Sequence, residues 1–254
     1  MLIDVHAHLD FDNFKEDLSE VIERAKKNNV VAIITNGINH EHNMQILKLS
    51  EKFPIIKPAL GFYPSEIAKA ESSEIDKTIN FIRKNKNKIV AIGEIGLDYH
   101  LVKEEKKQKE IFIRLLQLSK ELGIPVIVHS RKAEKDVIEI LAKENIKKAV
   151  LHCFSGRLSL VKQGESKGWY FSIPVNIVNS IHFQRLVEEI SINNILTETD
   201  APFLSADKGK RNEPANIVHA INKIAEIKNL DKEETEKIIF SNFQKIFSNR
   251  KVFK

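Results

Sequence analysis

The chain has 254 residues, of which 42% are hydrophobic and 30% charged, with a formal net charge of +5. That length buries a core without staples, and the balance excludes a disordered or fibrous polypeptide. The one cysteine, Cys153, excludes an intrachain disulfide, no apolar run is long enough to span a bilayer, and the mild basic excess permits a polyanionic ligand without requiring one.

In chain order, short β-branched runs alternate with segments of helical period. Leu2–His6 reads as a strand and is followed by a helix near Phe14–Asn28, whose Leu18, Val21, Ile22 and Ala25 recur at helical spacing. Val30–Thr35 precedes a helix at His42–Glu51, and Ile55–Leu60 precedes one at Ile75–Asn85. Ile89–Glu94 leads into a long helix at Lys103–Leu122, which Gly123 and Pro125 stop. Pro125–His129 is followed by Ala133–Lys143, Ala149–His152 by Leu158–Lys167, and Trp169–Ile173 by Ile181–Ile190. Ile195–Asp200 passes through a loop to Ala215–Ile227, and Lys232–Phe247 predicts one more amphipathic helix outside the pattern.

Eight strand–helix units predict a parallel sheet covered on both faces. The length is close to the ~250 residues of a single (β/α)8 TIM barrel, so one domain over residues 1–254 is expected. An open doubly wound sheet is the alternative, because periodicity does not prove closure. The chain starts directly in a strand, with no basic segment and apolar run ahead of it, so no signal peptide is expected. With the single cysteine, that predicts a cytoplasmic protein. The lysine runs at Lys103–Lys109 and Arg83–Lys88 read as solvated helix faces rather than nucleic-acid patches.

Six side chains of metal-ligating type stand at or just past the downstream ends of these strands: His6, His8, Glu94, His129, His152 and Asp200. In a closed barrel those ends share one rim, where barrel enzymes keep their active sites. His6 and His8 alternate on one strand and face the same way. Glu94 lies inside an apolar run, where a carboxylate must be paired or metal-bound; a buried pair with Lys or Arg is the plain alternative to a bridging ligand. His129 and His152 each end an apolar strand. Glu198, two residues before Asp200, is placed to orient a ligating imidazole. Four imidazoles and two carboxylates suit one or two divalent cations.

The stretches Asp4-Val5-His6-Ala7-His8-Leu9, Gly93-Glu94-Ile95-Gly96-Leu97-Asp98-Tyr99, His152-Cys153-Phe154-Ser155-Gly156 and Glu198-Thr199-Asp200-Ala201-Pro202 resemble the TatD family of metal-dependent hydrolases. The resemblance continues through Gly209–Pro214 and Asn242–Phe247 and covers essentially the whole chain. It implies a (β/α)8 barrel, two divalent cations (Zn2+, Mn2+ or Mg2+) and, for several relatives, deoxyribonuclease activity. Carried over by position, His6, His8, Glu94 and Asp200 would hold one cation and Glu94, His129 and His152 the other. The catalytic residues implied are Asp200, as acceptor of the water's proton, and Glu94, as the shared ligand. Arg131, Lys210 and Arg211 are expected to grip phosphate oxygens, with Ser155 as a neutral donor. Phe62 or Tyr63 would stack on a base. Tyr63 stands where many relatives carry His, and Lys208 where Arg usually precedes the Gly, so substrate identity is less constrained than the chemistry.

The expected partner is therefore DNA, single-stranded or at a 3′ end, with no membrane and no obligate protein partner. Ester cleavage of D-aminoacyl-tRNA is a second enzyme reading. Amide or lactone hydrolysis is a third, disfavoured because Glu94 stands where many such relatives use a carboxylated Lys. A nucleic-acid-binding scaffold with structural metal is the non-enzyme reading, disfavoured because no ligand position is lost.

Overall fold

Eight parallel strands hydrogen-bond in chain order, β1 (Leu2–Ala7), β2 (Val30–Asn36), β3 (Ile56–Leu60), β4 (Ala91–Asp98), β5 (Val126–Arg131), β6 (Ala149–His152), β7 (Tyr170–Pro174) and β8 (Ile195–Glu198). The seam between β8 and β1 is drawn together by main-chain bonds beyond the last strand. Asp200 N–H donates to His6 O at 2.8 Å and His8 N–H to Ala201 O at 2.7 Å. The sheet is thus a (β/α)8 barrel, as the alternation predicted, and not an open sheet. The structure is a computed structural model and describes residues 1–247.

The outer helices are α1 (Leu18–Lys27), α2 (His40–Lys52), α3 (Pro64–Lys69), α4 (Ser72–Lys84), α5 (Glu105–Leu122), α6 (Glu134–Lys143), α7 (Leu158–Ser166), α8 (Ile181–Glu189), α9 (Ile217–Lys228) and α10 (Lys232–Phe247). Each longer helix buries one stripe, such as Val21, Ile22 and Ala25 on α1 or Ile111, Phe112, Leu115 and Leu116 on α5. Their partners are the outward residues of the strands, so β1 and β4 are buried along their whole length. α5 ends where expected, with Gly123 left-handed at φ +63°. α10 lies against the base of β8, where the Asn242 amide donates to Ile192 O and Ile195 O at 2.8 and 2.9 Å.

Two boundaries differ from the sequence reading in ways that shape the site. The first is α3, a six-residue helix opened by Pro64, too short to show a helical period. The second is β4, which runs four residues past Glu94 instead of ending there. Its register against β5 breaks between Ile92 and Ile95. Gly96 is left-handed at φ +145°, and a Cβ there would stand 2.0 Å from His129 O. A Cβ on Gly61 would stand 2.4 Å from Glu94 O. Only glycine lets β3, β4 and β5 close around Glu94 in this way.

Candidate metal centre

All six expected ligand residues meet at one end of the barrel. His6 comes from β1, and His8 follows it by one residue beyond the strand. Glu94 is the fourth of eight residues in β4, His129 the fourth of six in β5, and His152 the last of β6. Asp200 lies two residues past β8, where φ of +54° turns the chain inward. Asp tolerates that conformation better than most residues.

Glu94 is the hub, with 3% of its side chain exposed. Its Oε2 lies 3.4 Å from Nε2 of both His6 and His8. Its Oε1 lies 3.0 Å from His129 Nδ1 and 3.5 Å from His152 Nε2. Among the described residues its ion-pair partners are these imidazoles, not Lys or Arg. Asp200 Oδ1 stands 3.6 and 3.7 Å from Nε2 of His6 and His8, which are 3.2 Å from each other. Ligand atoms about 2.1 Å from one tetrahedral centre stand about 3.4 Å apart. The five distances among His6, His8, Glu94 and Asp200 bracket that value, so this set fits a divalent cation. Glu94, His129 and His152 form a second group of converging donors.

Three of the four outer imidazole nitrogens are held by a hydrogen-bond partner. His8 Nδ1 faces Asn36 O at 3.0 Å. His152 Nδ1 faces Glu198 Oε2 at 3.1 Å, and Glu198 also accepts from the Ser172 hydroxyl at 2.6 Å and from Cys153 N–H at 2.9 Å. His129 Nε2 faces Asp98 Oδ2 at 3.1 Å. Such partners fix ring orientation and tautomer. His6 Nδ1 is buried without a partner, and its ring is fixed by stacking on His152 at 3.7 Å. Beneath the cluster, Asp4 accepts from Thr199 N–H and Oγ1–H and from His6 N–H.

The electrostatics suit ligation. Burial raises the Glu94 pKa, but His6, His129 and His152 outweigh burial and hold it well below the usual carboxylate range. Burial and the neighbouring His152 hold His6 well below its ordinary value, so it is a neutral donor. Burial lowers His152 as well, but Glu198, Glu94 and Asp200 reverse this and carry it to about 10 in the metal-free protein. Binding there must therefore displace a proton. Burial, with Glu198 and Glu94, lifts Asp200 to about 6 against the opposing pull of His152 and His8.

The remaining expected contacts divide. Arg131, Ser155 and Tyr63 line the cavity above the cluster. Arg131 ends β5 with its side chain exposed. The Ser155 hydroxyl donates to Glu134 at 2.8 Å. Lys210 and Arg211 do not line the cavity. Lys210 pairs with Asp207 at 2.9 Å, and Arg211 grips Asp17 through two nitrogens at 2.8 and 2.6 Å, with its guanidinium 4.7 Å above the Phe14 ring. Sequence position put both on the rim loop, but that loop folds back against the start of α1. Base stacking by Phe62 is also ruled out, because the ring is fully buried. Tyr63 is tied inward, its hydroxyl donating to Asp98 at 3.2 Å and lying 3.3 Å from His129 Nε2.

Sequence reasoning gave no role to Asp98, although it follows Glu94 by two strand repeats and shares its face. Asn36, whose carbonyl rather than side chain meets His8, carried no signal. Phe11 and Phe203 likewise carried no signal in the sequence.

The family model described as TatD related DNase matches residues 3–248. An uncharacterized metal-dependent hydrolase of Methanocaldococcus jannaschii is 39% identical over 98% of this chain and 97% of its own. Deoxyribonuclease TATDN3 of Homo sapiens is 35% identical, covering 97% of this chain and 94% of its own. Among solved structures, a TatD homologue from Escherichia coli superposes with a TM-score of 0.90 at 25% identity, over 97% of this chain and 98% of the other. With the match running through every strand that carries a candidate ligand, this chain belongs to the TatD family of metal-dependent hydrolases.

Proposed function

We propose that the protein hydrolyses phosphodiester bonds of DNA, trimming single-stranded 3′ ends, with two divalent cations at the centre described above. The observation that carries this reading is the division of Glu94. Its two oxygens face separate imidazole pairs, His6 with His8 and His129 with His152. A carboxylate so placed suits a ligand shared between two cations. His6, His8, Glu94 and Asp200 would hold one, and Glu94, His129 and His152 the other. Bound there, such cations supply Lewis-acid activation of water and stabilise charge on phosphate oxygens. Imidazole-rich ligation favours Zn2+ or Mn2+ over Mg2+.

The chain's own groups supply the rest. Asp200, with a pKa lifted to about 6 before metal binding, takes the proton of the attacking water. Glu198 and Asp98 keep His152 and His129 oriented, and Tyr63 braces the second of these. Arg131 offers a guanidinium to non-bridging phosphate oxygens, the role expected of three cations now resting on one. The name of the human relative, a deoxyribonuclease, supports DNA as the polymer.

The test compares turnover of single-stranded DNA labelled at either end, RNA, D-aminoacyl-tRNA and a simple phosphodiester, with Mg2+, Mn2+ and Zn2+. Immediate loss of a 3′ label and stepwise shortening of the 5′-labelled strand, with little attack on aminoacyl-tRNA, are expected. Cleavage of aminoacyl-tRNA without cleavage of DNA would leave the site standing and remove the proposed substrate.

A further inference from the structure

We propose that Phe203, backed by Phe11, is the platform on which the terminal nucleobase of the substrate stacks. The strand end is then recognised by its base as well as by its phosphate. This inference rests on the DNA reading above.

Phe203 lines the same cavity as Glu94, His8 and Asp200, yet 51% of its surface is exposed. A large ring held half in water beside a polar centre leaves about half of its apolar surface unburied. Its ring lies 6.4 Å from the His8 ring and 6.2 Å from that of Phe11. Phe11 is fixed in turn. It stacks on His8 at 4.7 Å and 18°, and His42, held by Asp10, meets it edge-on at 5.3 Å. One ring is thus a fixed wall, and the other projects from it next to the ligands. A base joined to a phosphodiester held at those ligands lies one sugar away.

The loop that carries Phe203 is built to hold it there. Its N–H donates to Asp200 O at 2.8 Å, closing a turn. Asp200 and Leu204, at φ of +54° and +52°, bracket it in the left-handed region. That region is costly for a bulky residue such as leucine, and such cost collects where a side chain must be aimed. Arg211 and Asn212 secure the far end of the loop, the first to Asp17 and the second through its amide to Thr199 O at 2.7 Å.

The rest of the cavity agrees. Its volume of about 720 Å3 suits a small-molecule-sized group rather than a long track. Leu101, Phe183 and Leu204 add apolar wall, while Arg131 is the one Lys or Arg among the described lining residues. Non-specific gripping of a long single strand needs a row of cations along the backbone. One cation and an aromatic pair instead suit a single terminal nucleotide, with stacking that tolerates any base.

The test measures binding apart from turnover. Single-stranded oligonucleotides carry a 5′ fluorescein and a phosphorothioate 3′-terminal linkage, and end either in thymidine or in an abasic tetrahydrofuran. Affinities are read by anisotropy with Mn2+ present. The wild type should prefer the thymidine end by roughly 5- to 100-fold, the range of one base–aromatic stack. Phe203→Ala should bring that ratio close to one, and Phe203→Trp should restore it. The ring is half exposed, so its truncation leaves the core intact, and circular dichroism checks the fold. Equal wild-type affinities for the two ends, no binding of either, a ratio that survives Phe203→Ala, or a ratio that Phe203→Trp does not restore each overturn the platform. If the base-dependent ratio depends on Phe203 while the unmodified oligonucleotide is not cleaved, the platform stands and the deoxyribonuclease reading falls.

Discussion

Glu198→Gln is the most informative single substitution, because the buried carboxylate accepts three hydrogen bonds that an amide cannot all replace. Oε2 receives His152 Nδ1 and the Ser172 hydroxyl, and Oε1 receives Cys153 N–H. An amide has one oxygen and one NH2. With its oxygen toward His152 and Ser172, its NH2 faces Cys153 N–H and leaves buried donors opposed. That costs about 1–3 kcal/mol, or roughly 2–10 °C of melting temperature at this size. With its oxygen toward Cys153, its NH2 faces His152 Nδ1, which must then accept. The ring proton moves to Nε2, the atom 3.5 Å from Glu94 Oε1, and that nitrogen can no longer ligate. Loss of such a partner typically weakens metal affinity about 10- to 100-fold, equivalent to about 1.4–2.8 kcal/mol. The variant therefore loses either stability or affinity at the second cation position. Calorimetric titration with Zn2+ and thermal melts of the metal-free protein separate the two outcomes. Wild-type affinity together with a wild-type melting temperature would refute the assignment of Glu198 as the group that orients His152.

Glu94→Gln keeps the shape of the shared ligand but removes its charge; elemental analysis should show lower metal content, and unchanged stoichiometry would mean Glu94 is not shared. Asp200→Asn should stay folded and lower turnover at least ~10²-fold, the low end for a positioned general base, while oligonucleotide affinity survives through Arg131; wild-type turnover with full metal content would dismiss Asp200 as the proton acceptor. Arg131→Ala should raise KM for DNA and lower the slope of log affinity against log salt by about 0.7, the value of one phosphate contact to a single strand. Arg211→Ala should leave that slope alone and cost no more than about 1 kcal/mol, because its pair with Asp17 is partly exposed; a changed slope would return Arg211 to the substrate path. In the metal-free protein His152 has a folded pKa of about 10 against about 6.5 unfolded, so its stabilisation is complete below pH ~6.5 and is lost as pH rises through about 10. Burial lifts Asp4 to about 8, with the same sign, its contribution fading from pH ~4 upward. The melting temperature of metal-free protein should therefore fall from pH 5 to 10, and saturating Zn2+ should flatten that fall; a flat metal-free profile would contradict both shifts.

The sequence by itself determined the order of the strands and of the longer helices, and six residues of the centre. Apolar β-branched runs and helical spacing are local properties, and a parallel sheet with its strands in chain order turns six strand positions into one cluster. His6 and His8 were legible as a pair because strand alternation is short-ranged. Glu198 could be proposed as an orienting group for the same reason, two residues from Asp200. The tertiary structure alone decided closure, which depends on contacts between chain ends such as Asp200 N–H to His6 O. It alone placed Glu94 within β4 rather than at its end, because the approach of β3 and β5 is set by what glycine leaves empty on neighbouring strands. It also separated Arg131 from Lys210 and Arg211. All three look alike as cations on rim loops, but Asp17, nearly two hundred residues away, captures Arg211, and Asp207 captures Lys210. The exposed ring of Phe203 was invisible for a related reason. A phenylalanine in a loop reads as packing until the partners that leave it half uncovered are known.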